Sequence, residues 1–165
     1  MKKLLLLVAL FPLAAHADKL TAPVNAPPAF QTECASCHVA FPPALLAAAD
    51  WKRVMASLDK HYGDNASLDD KTRRTIEDFL VKHAGNAAKV SAGGTASNNA
   101  ELPRITTSAW FKREHREVAA VDWKHEKVKT PANCGACHTK ATQGSYRERD
   151  IFMPVGKNAG RKWED

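Results

Sequence analysis

The sequence contains the same five-residue pattern twice, in which two cysteines separated by two residues are followed directly by a histidine. The first copy is Cys34 to His38 and the second is Cys134 to His138. Cysteines at this spacing lie about one helical turn apart, so both sulfurs can reach the edge of one planar ligand. The histidine that follows can swing beneath the same ligand and offer an imidazole nitrogen to a metal ion at its centre.

This pattern is typical of covalent haem attachment, in which each cysteine forms a thioether with one vinyl group of the porphyrin. The residues predicted to hold two covalently bound haem c groups are Cys34, Cys37, Cys134 and Cys137. His38 and His138 are the predicted proximal iron ligands. Two disulfides, or one zinc ion held by four cysteines, are the alternatives. The interval between the cysteine pairs is much longer than the roughly 15–20 residues of zinc ribbons, and neither alternative explains the histidines.

The first 17 residues have the pattern of a cleaved signal peptide. Lys2 and Lys3 precede an apolar run over residues 4–13, and Ala15 and Ala17 supply small residues at the cleavage site. This run is shorter than the roughly 20 apolar residues that span a bilayer, and we expect no membrane span after cleavage. The mature chain is therefore predicted to be periplasmic.

Charge gives little indication of a partner. The formal net charge of +6 falls to +4 when Lys2 and Lys3 are removed. A basic chain can bind nucleic acid, but export argues against that partner, and the haem propionates would cancel most of the excess. We expect a monomer whose partners are redox proteins.

The predicted fold class is mostly α, with two small haem-cored domains. Residues 18–85 form an N-terminal, cytochrome-c-like domain, and residues 101–165 form a C-terminal domain that is irregular with short helices. Residues 86–100 are rich in Gly, Ala, Ser and Asn and are predicted to be a linker or long loop. Domains this small bury little apolar surface alone, so each haem is expected to supply part of the core.

The sequence predicts helices over residues 29–38, 44–62 and 68–84, a helix that follows Ser108 and ends near residue 119, and a helical turn that begins at Pro131 and carries the second motif. The inward positions of the second are Ala47, Trp51, Val54 and Leu58, and those of the third are Ile76, Phe79 and Leu80. Ser67 with Asp70 resembles a capping box that begins the third helix, and Ser108 is the expected cap of the fourth. Gly63 and Gly85 are predicted stop residues, and residues 102–107 are predicted to be extended.

Four further histidines could supply the second axial ligand of each iron. His61 continues the stripe of Trp51, and His115 lies four positions after Phe111 on an apolar face. His83 has a similar position and is a rival to His61, whereas His125 lies in a charged stretch. Methionine is the other common ligand, so Met153, which precedes Pro154, is a candidate. Met55 is a weaker candidate, since it lies on a predicted helix where it is expected to pack in the core. One iron could also have an open site.

Four segments in this order resemble the small periplasmic dihaem cytochromes c (DHC family). The segments are CASCHVAFPPALLAAADWKRVMASLDKHYGDNASLD, RITTSAWFKREHREV, VKTPANCGACH and GSYRERDIFMP. The resemblance covers nearly all of the mature chain and implies a two-domain electron carrier in which both irons have two histidine ligands. His61 and His115 match the distal positions of the family pattern, whereas His83 and His125 do not belong to it. Met153 stands where an aliphatic residue is usual.

Two functions are compatible with these motifs. An electron carrier that is not an enzyme is favoured, since the apolar-face histidines can fill both irons and leave no site for a substrate. The resemblance implies a membrane b-type cytochrome as its donor and a small, oxygen-binding monohaem cytochrome as its acceptor. The alternative is a dihaem enzyme with one open iron site, either a peroxidase or a small-molecule reductase.

Overall fold

A computed structural model of the protein describes residues 25–90 and 102–160. The α-helices in these ranges are α1 (Pro28–Cys34), α2 (Ala48–Met55), α3 (Asp70–Lys82), α4 (Ala87–Val90) and α5 (Ala109–Glu114). Short 3₁₀ helices lie at Pro43–Leu45, Leu58–Lys60, Ile105–Thr107, Asp122–Lys124, Cys134–Ala136, Ala141–Gln143 and Glu148–Asp150. These ranges contain isolated β-bridges but no β-strand, so the prediction of a mostly α fold is confirmed. None of the described helices has the length and apolar character to cross a membrane.

The main core of the described residues lies where α1, α2 and α3 meet. Phe30 of α1 packs on Phe79 of α3 with ring centroids 4.9 Å apart, and Ile76 is completely buried between them and α2. Trp51 and Val54 of α2 face the same cluster. The apolar stripes predicted for the second and third helices are therefore confirmed as inward faces, with Leu58 only partly buried at the edge.

The single helix predicted over residues 44–62 is wrong. Leu46 is extended (φ −132°, ψ 157°), which separates the 3₁₀ helix Pro43–Leu45 from α2. The chain turns away because the Leu46 carbonyl accepts a hydrogen bond of 2.9 Å from the Gly85 amide, beside a parallel bridge between Ala47 and Gly85. A long-range backbone hydrogen bond from Gly85 therefore takes the place of a helical hydrogen bond at Leu46.

The start of α3 also differs from the prediction. Asp69, and not Ser67, is the N-cap, since its carboxylate accepts hydrogen bonds of 3.0 Å from the amides of Lys71 and Thr72. An aspartate in this position satisfies two helix-terminal N–H groups, and its negative charge interacts favourably with the positive end of the helix dipole. The helix then ends at Lys82, before the predicted stop at Gly85.

In the second half of the chain, Ser108 caps α5 as predicted. Its hydroxyl oxygen accepts a hydrogen bond of 3.1 Å from the Phe111 amide, and its side chain is fully buried. The helix is shorter than predicted and ends at Glu114. Residues 102–107 are not extended throughout, because Ile105–Thr107 form a 3₁₀ helix. From Cys134 to residue 160 the chain consists of short 3₁₀ helices and turns, as expected for an irregular region.

The two halves are in contact. The Tyr62 hydroxyl donates a hydrogen bond to the Pro103 carbonyl, and the Arg104 guanidinium lies 4.6 Å from the centroid of the Tyr62 ring. Part of the predicted linker is also structured, since residues 87–90 form α4 and Val90 is buried. The signal peptide predicted for residues 1–17, and the linker beyond residue 90, lie outside the described residues. The predicted domain boundaries stay a prediction.

Candidate haem-binding sites

The first motif follows directly from helix α1. A proline at the first position of α1 fits the helix start, and the helix ends at Cys34, so Cys37 and His38 lie in the turns beyond it. Cys34 is partly buried against the core, whereas Cys37 and His38 are exposed. The His38 ring stacks on Phe41 at 4.6 Å, and its Nδ1 lies 2.8 Å from the Val39 carbonyl oxygen. This contact leaves the other ring nitrogen of His38 available to a ligand.

His61 is the histidine that the fold brings to His38. It follows the 3₁₀ helix Leu58–Lys60, and the chain then turns sharply through Tyr62 (φ 52°) and Gly63 (φ 112°). The rings of His38 and His61 are nearly parallel, with an angle of 22° and centroids 6.3 Å apart. Burial, with a smaller contribution from His38, lowers the pKa of His61. The neutral imidazole that results is the form that binds metal ions.

The second site pairs His138 with His115. Their ring centroids lie 6.1 Å apart and the ring planes are inclined by 75°. His115 is held by Phe111, whose ring stacks on it at 4.0 Å and whose carbonyl oxygen lies 2.9 Å from its Nδ1. Burial lowers the pKa of His115. Burial and then the neighbouring His115 lower the pKa of His138 from 6.5 to about 4, so this pair is also neutral near pH 7.

The separation within both pairs fits a metal ion between two imidazoles. With metal–nitrogen bonds of about 2 Å, as in zinc sites, rings bound on opposite sides of one ion have centroids roughly 6 Å apart. His61 Nδ1 and His138 Nδ1 are buried and have no hydrogen-bond partner among the described residues. Buried polar atoms without a partner are unusual, and here they occur in both predicted sites. Coordination of iron by His61 and His115 nevertheless stays a prediction.

The cysteines lie in surroundings that suit a porphyrin edge. Burial raises the pKa of Cys34 and of Cys134 to about 11, which marks thiols in largely apolar contact. All four motif cysteines are free, so the disulfide alternative is not seen. The described residues contain no cluster of three or more His, Cys, Asp or Glu side chains of the kind that a zinc site needs.

Of the rival ligands, the two histidines make no ring contact with a motif histidine in the described residues, and Met55 lies in the main core, whereas Met153 lies in the second half of the chain. The His83 ring contacts Phe79 at 5.1 Å, and the described residues show no ring contact between His83 and either motif histidine. His125 is exposed, and its Nδ1 accepts a hydrogen bond of 3.2 Å from the Lys127 amide. Met55 is buried in the main core. Met153 is buried in the second half, where its carbonyl accepts a hydrogen bond from Gly160.

Two features of the sites were missed by sequence reasoning. The Tyr146 hydroxyl is buried and has no hydrogen-bond partner among the described residues, and the Tyr146 ring lies 5.1 Å from that of His138. Its signals in the sequence were its position shortly after the second motif and its place in the segment GSYRERDIFMP. A cleft of about 310 Å³ beside the first motif is lined by Cys37 and His38 and, from the second half, by Ala141 and Thr142. The second half therefore helps to form the first site.

These features define a c-type cytochrome with two attachment sites, and the comparisons with known proteins agree. The family model of the dihaem cytochromes c (DHC) matches residues 30–146. A diheme cytochrome type c from Shewanella baltica is 33% identical, with a TM-score of 0.66 over 83% of this chain and 97% of that chain. DHC purified from Rhodobacter sphaeroides is 38% identical, with a TM-score of 0.60 over 75% of this chain and 100% of that chain. A second structure from that organism, a diheme cytochrome c, is 36% identical, with a TM-score of 0.61 over 76% of this chain and 99% of that chain. No match was found among curated proteins.

The chain therefore belongs to the dihaem cytochrome c family and carries two covalently bound haem c groups. Membership of this family indicates electron transfer as its general role and redox proteins as its partners. The residues of both motifs fit this cofactor, since each contains two free cysteines and a histidine that faces a second histidine.

Proposed function

We propose that this protein is a periplasmic electron carrier, and not an enzyme, that takes single electrons from a membrane donor and passes them to a small soluble haem protein. The observation that carries the proposal is the pairing of each motif histidine with a second histidine, at 6.3 Å in the first site and 6.1 Å in the second. When bound, the haem irons supply the one-electron redox chemistry. The paired histidines would hold the two irons, and the motif cysteines would attach the two haems.

The proposed ligand sets are His38 with His61 for the first haem and His138 with His115 for the second. If two histidines hold each iron, a small molecule could reach the metal only by displacing one of them, which argues against an enzyme. An iron held by two imidazoles would also keep the same ligands in both oxidation states, so the gain or loss of an electron would require little rearrangement. Methionine raises the potential of haem iron, so we expect both potentials to lie well below those of Met/His cytochromes.

The location and the partners of the protein rest on the sequence. The signal-peptide pattern of residues 1–17 supports export to the periplasm. The family resemblance supports a membrane b-type cytochrome as the donor and a small, oxygen-binding monohaem cytochrome as the acceptor. Encounters between redox proteins commonly bury less than about 1,200 Å², which suits a monomer that binds each partner briefly.

The ligand sets can be tested with paired substitutions. We expect His61→Ala to convert one haem from low spin to high spin, whereas His83→Ala, the matched control, leaves both haems low spin. In the second site, His115→Ala should have the same effect and His125→Ala should have none. Optical and paramagnetic resonance spectra of the ferric holoprotein measure these changes. A high-spin haem in His83→Ala together with a low-spin spectrum in His61→Ala would contradict the first assignment.

The carrier function is tested by the reactivity of the unaltered holoprotein. We expect a reduced spectrum that carbon monoxide does not change, and rapid second-order oxidation by small haem-protein acceptors in stopped-flow mixing. Turnover of peroxide, nitrite or hydroxylamine well above the rate of free haem would instead assign the protein to the dihaem enzymes.

A further inference from the structure

Two buried polar atoms beside the second motif have no hydrogen-bond partner among the described residues. One is the Tyr146 hydroxyl oxygen and the other is His138 Nδ1. The rings that carry them lie 5.1 Å apart, centroid to centroid. Most buried polar groups in proteins have a hydrogen-bond partner, so two unpaired ones on neighbouring rings require an explanation.

The four histidines of the proposed ligand sets differ in how their Nδ1 atoms are engaged. The ring nitrogen of a metal-binding histidine that does not bind the metal normally donates a hydrogen bond, which fixes the ring and makes the bound nitrogen more basic. In His38 and His115, Nδ1 lies 2.8 and 2.9 Å from a backbone carbonyl oxygen. His61 and His138 have no such acceptor among the described residues.

A tyrosine ring contacts each of the two histidines that lack an acceptor, but the two tyrosine hydroxyls differ. Tyr62 meets His61 edge-on at 4.8 Å, and its hydroxyl donates a hydrogen bond to the Pro103 carbonyl. The Tyr146 hydroxyl has no comparable acceptor in the part of the chain that the structure describes. Because a tyrosine oxygen can accept a hydrogen bond as well as donate one, Tyr146 can supply the acceptor that His138 lacks.

The loop between these two residues holds them close together. Directly after His138, the Thr139 amide and hydroxyl both donate hydrogen bonds to the Asp150 carbonyl, at 3.2 and 2.8 Å. Directly before Tyr146, the Ser145 hydroxyl donates a hydrogen bond of 3.0 Å to the Asp150 carboxylate. Asp150 therefore bonds the chain next to the histidine and next to the tyrosine, and this loop sets where the two rings lie relative to each other.

We propose that the Tyr146 hydroxyl accepts a hydrogen bond from His138 Nδ1 in the holoprotein, and that it thereby positions this histidine and lowers the reduction potential of the second haem. In the structure the ring planes are inclined by 53° and the two atoms are not bonded to each other. The χ2 torsion of histidine has a broad minimum, so the imidazole can turn toward the hydroxyl with little strain. The inference rests on the proposed function, because it takes His138 as a ligand of the second iron.

Such a hydrogen bond has a defined effect on the redox equilibrium. An acceptor for the Nδ1 proton raises the basicity of the nitrogen that binds iron. A more basic ligand stabilises ferric iron more than ferrous iron, so the hydrogen bond lowers the potential. Loss of such a partner typically changes metal affinity or activity by about 10–100-fold. We expect the lower value here, and a 10-fold change in a one-electron equilibrium corresponds to about 59 mV.

The test compares the Tyr146→Phe holoprotein with the wild type in a redox titration followed by optical spectra. Phenylalanine keeps the ring that contacts His138 and removes only the hydroxyl. We expect one of the two couples to rise by about 59 mV and the other to stay unchanged, with both haems low spin. Tyr62→Phe is the matched control, since it removes a hydroxyl that is bonded to Pro103 and not to a histidine. Both potentials of this control should equal those of the wild type.

A second measurement follows the Nδ1 proton of His138 directly and can be made on the wild type alone. In the diamagnetic ferrous holoprotein this proton should give a nuclear magnetic resonance signal that exchanges slowly with solvent, because it is buried and hydrogen-bonded. In Tyr146→Phe its exchange should be faster by about 10-fold, the effect of one ordinary hydrogen bond. Tyr62→Phe should leave the exchange rate unaltered.

The two measurements together separate the possible roles of the tyrosine. A lower potential in Tyr146→Phe would overturn the proposal and assign the hydroxyl to a haem propionate, because a propionate that loses its donor stabilises ferric iron more strongly. Unchanged potentials and unchanged proton exchange would leave Tyr146 with a packing role only. If Tyr146→Phe yields no holoprotein, a wild-type Nδ1 proton that exchanges as fast as that of free histidine overturns the proposal. A wild-type ferric spectrum without a second low-spin, bis-histidine haem would instead refute the ligand set of that haem.

Discussion

Ser108, the N-cap of α5, is expected to influence how firmly His115 is held at the second haem site. Its hydroxyl oxygen accepts a hydrogen bond of 3.1 Å from the Phe111 amide, and the Phe111 carbonyl lies 2.9 Å from His115 Nδ1. A chain of two hydrogen bonds therefore connects the cap of α5 to the proposed distal ligand at its other end. We predict that Ser108→Ala loosens His115 without removing any group that touches the haem.

The magnitude follows from the burial of the cap. Loss of a serine N-cap typically costs about 0.5–2 kcal/mol, and leaving a buried N–H without an acceptor costs about 1–3 kcal/mol. Both ranges describe the loss of the same hydrogen bond, so we take about 1–2 kcal/mol as the cost of Ser108→Ala. Because α5 has only six residues, most of this cost should fall on the helix end that carries His115. A change of 1–2 kcal/mol raises the population of a detached state by about 5–30-fold.

Cyanide binding to the ferric holoprotein measures that population. Cyanide must replace a histidine, so its apparent affinity for the second haem should rise by the same factor of about 5–30. The first haem should be unaffected, since its proposed ligands belong to the other half of the chain.

Ser57→Ala is the matched control. Ser57 occupies the corresponding position before the 3₁₀ helix Leu58–Lys60 and His61, but its side chain forms no cap hydrogen bond. We expect its cyanide affinities to equal those of the wild type. Unchanged cyanide binding in Ser108→Ala, or an equal increase in Ser57→Ala, would refute the proposed connection between the cap and the ligand.

Three further predictions concern attachment and folding. Replacing Cys134 and Cys137 with Ala should leave one haem on the chain, as measured by denaturing mass spectrometry after acid extraction; retention of two would contradict the assignment. The haem-free chain should have little helix by circular dichroism, because each half is small, and a cooperative melt with native-like helix content would be evidence against this. Gly85→Ala should lower the free energy of unfolding of the holoprotein by about 1–3 kcal/mol, because a Cβ there would collide with the Ala44 carbonyl and approach Val90 Cγ2 to 2.7 Å. In guanidinium titrations Gly135→Ala, whose Cβ would have no neighbour closer than 4.0 Å, serves as the control.

Local signals in the sequence predicted much of the structure. Ser108 was predicted as a cap because a small hydroxyl residue before an apolar turn can bond the free amides at a helix start. Trp51, Val54, Ile76 and Phe79 were predicted as inward positions because a helix repeats about every 3.6 residues. Each of these inferences depends on neighbours within one or two turns of the chain, and the structure agrees with each of them.

The error in the second predicted helix arose where distant parts of the chain interact. The residues around Leu46 have a helical pattern, but the Leu46 carbonyl bonds the Gly85 amide, 39 positions away in sequence. Trp51 adds to the break, since its indole N–H donates a hydrogen bond of 2.7 Å to the Pro43 carbonyl. The intended cap at Ser67 failed for a local reason, because Asp69 offers a carboxylate that accepts two amide hydrogen bonds closer to the helix start.

The predicted distal histidines depend on both local and long-range information. His61, His83, His115 and His125 each occupy the residue directly after a helix or 3₁₀ helix. In that position the preceding turn fixes the backbone while the side chain projects past the helix end, which suits a ligand that must reach across a gap. The position alone cannot separate the four, and periodicity made His83 a real rival to His61. The tertiary fold separates them: His61 and His115 each face a motif histidine at 6.1–6.3 Å, whereas His83 packs on Phe79 of its own helix. Each predicted distal ligand is therefore specified twice, first by the helix end that carries it and then by the contacts that bring that end to a motif histidine.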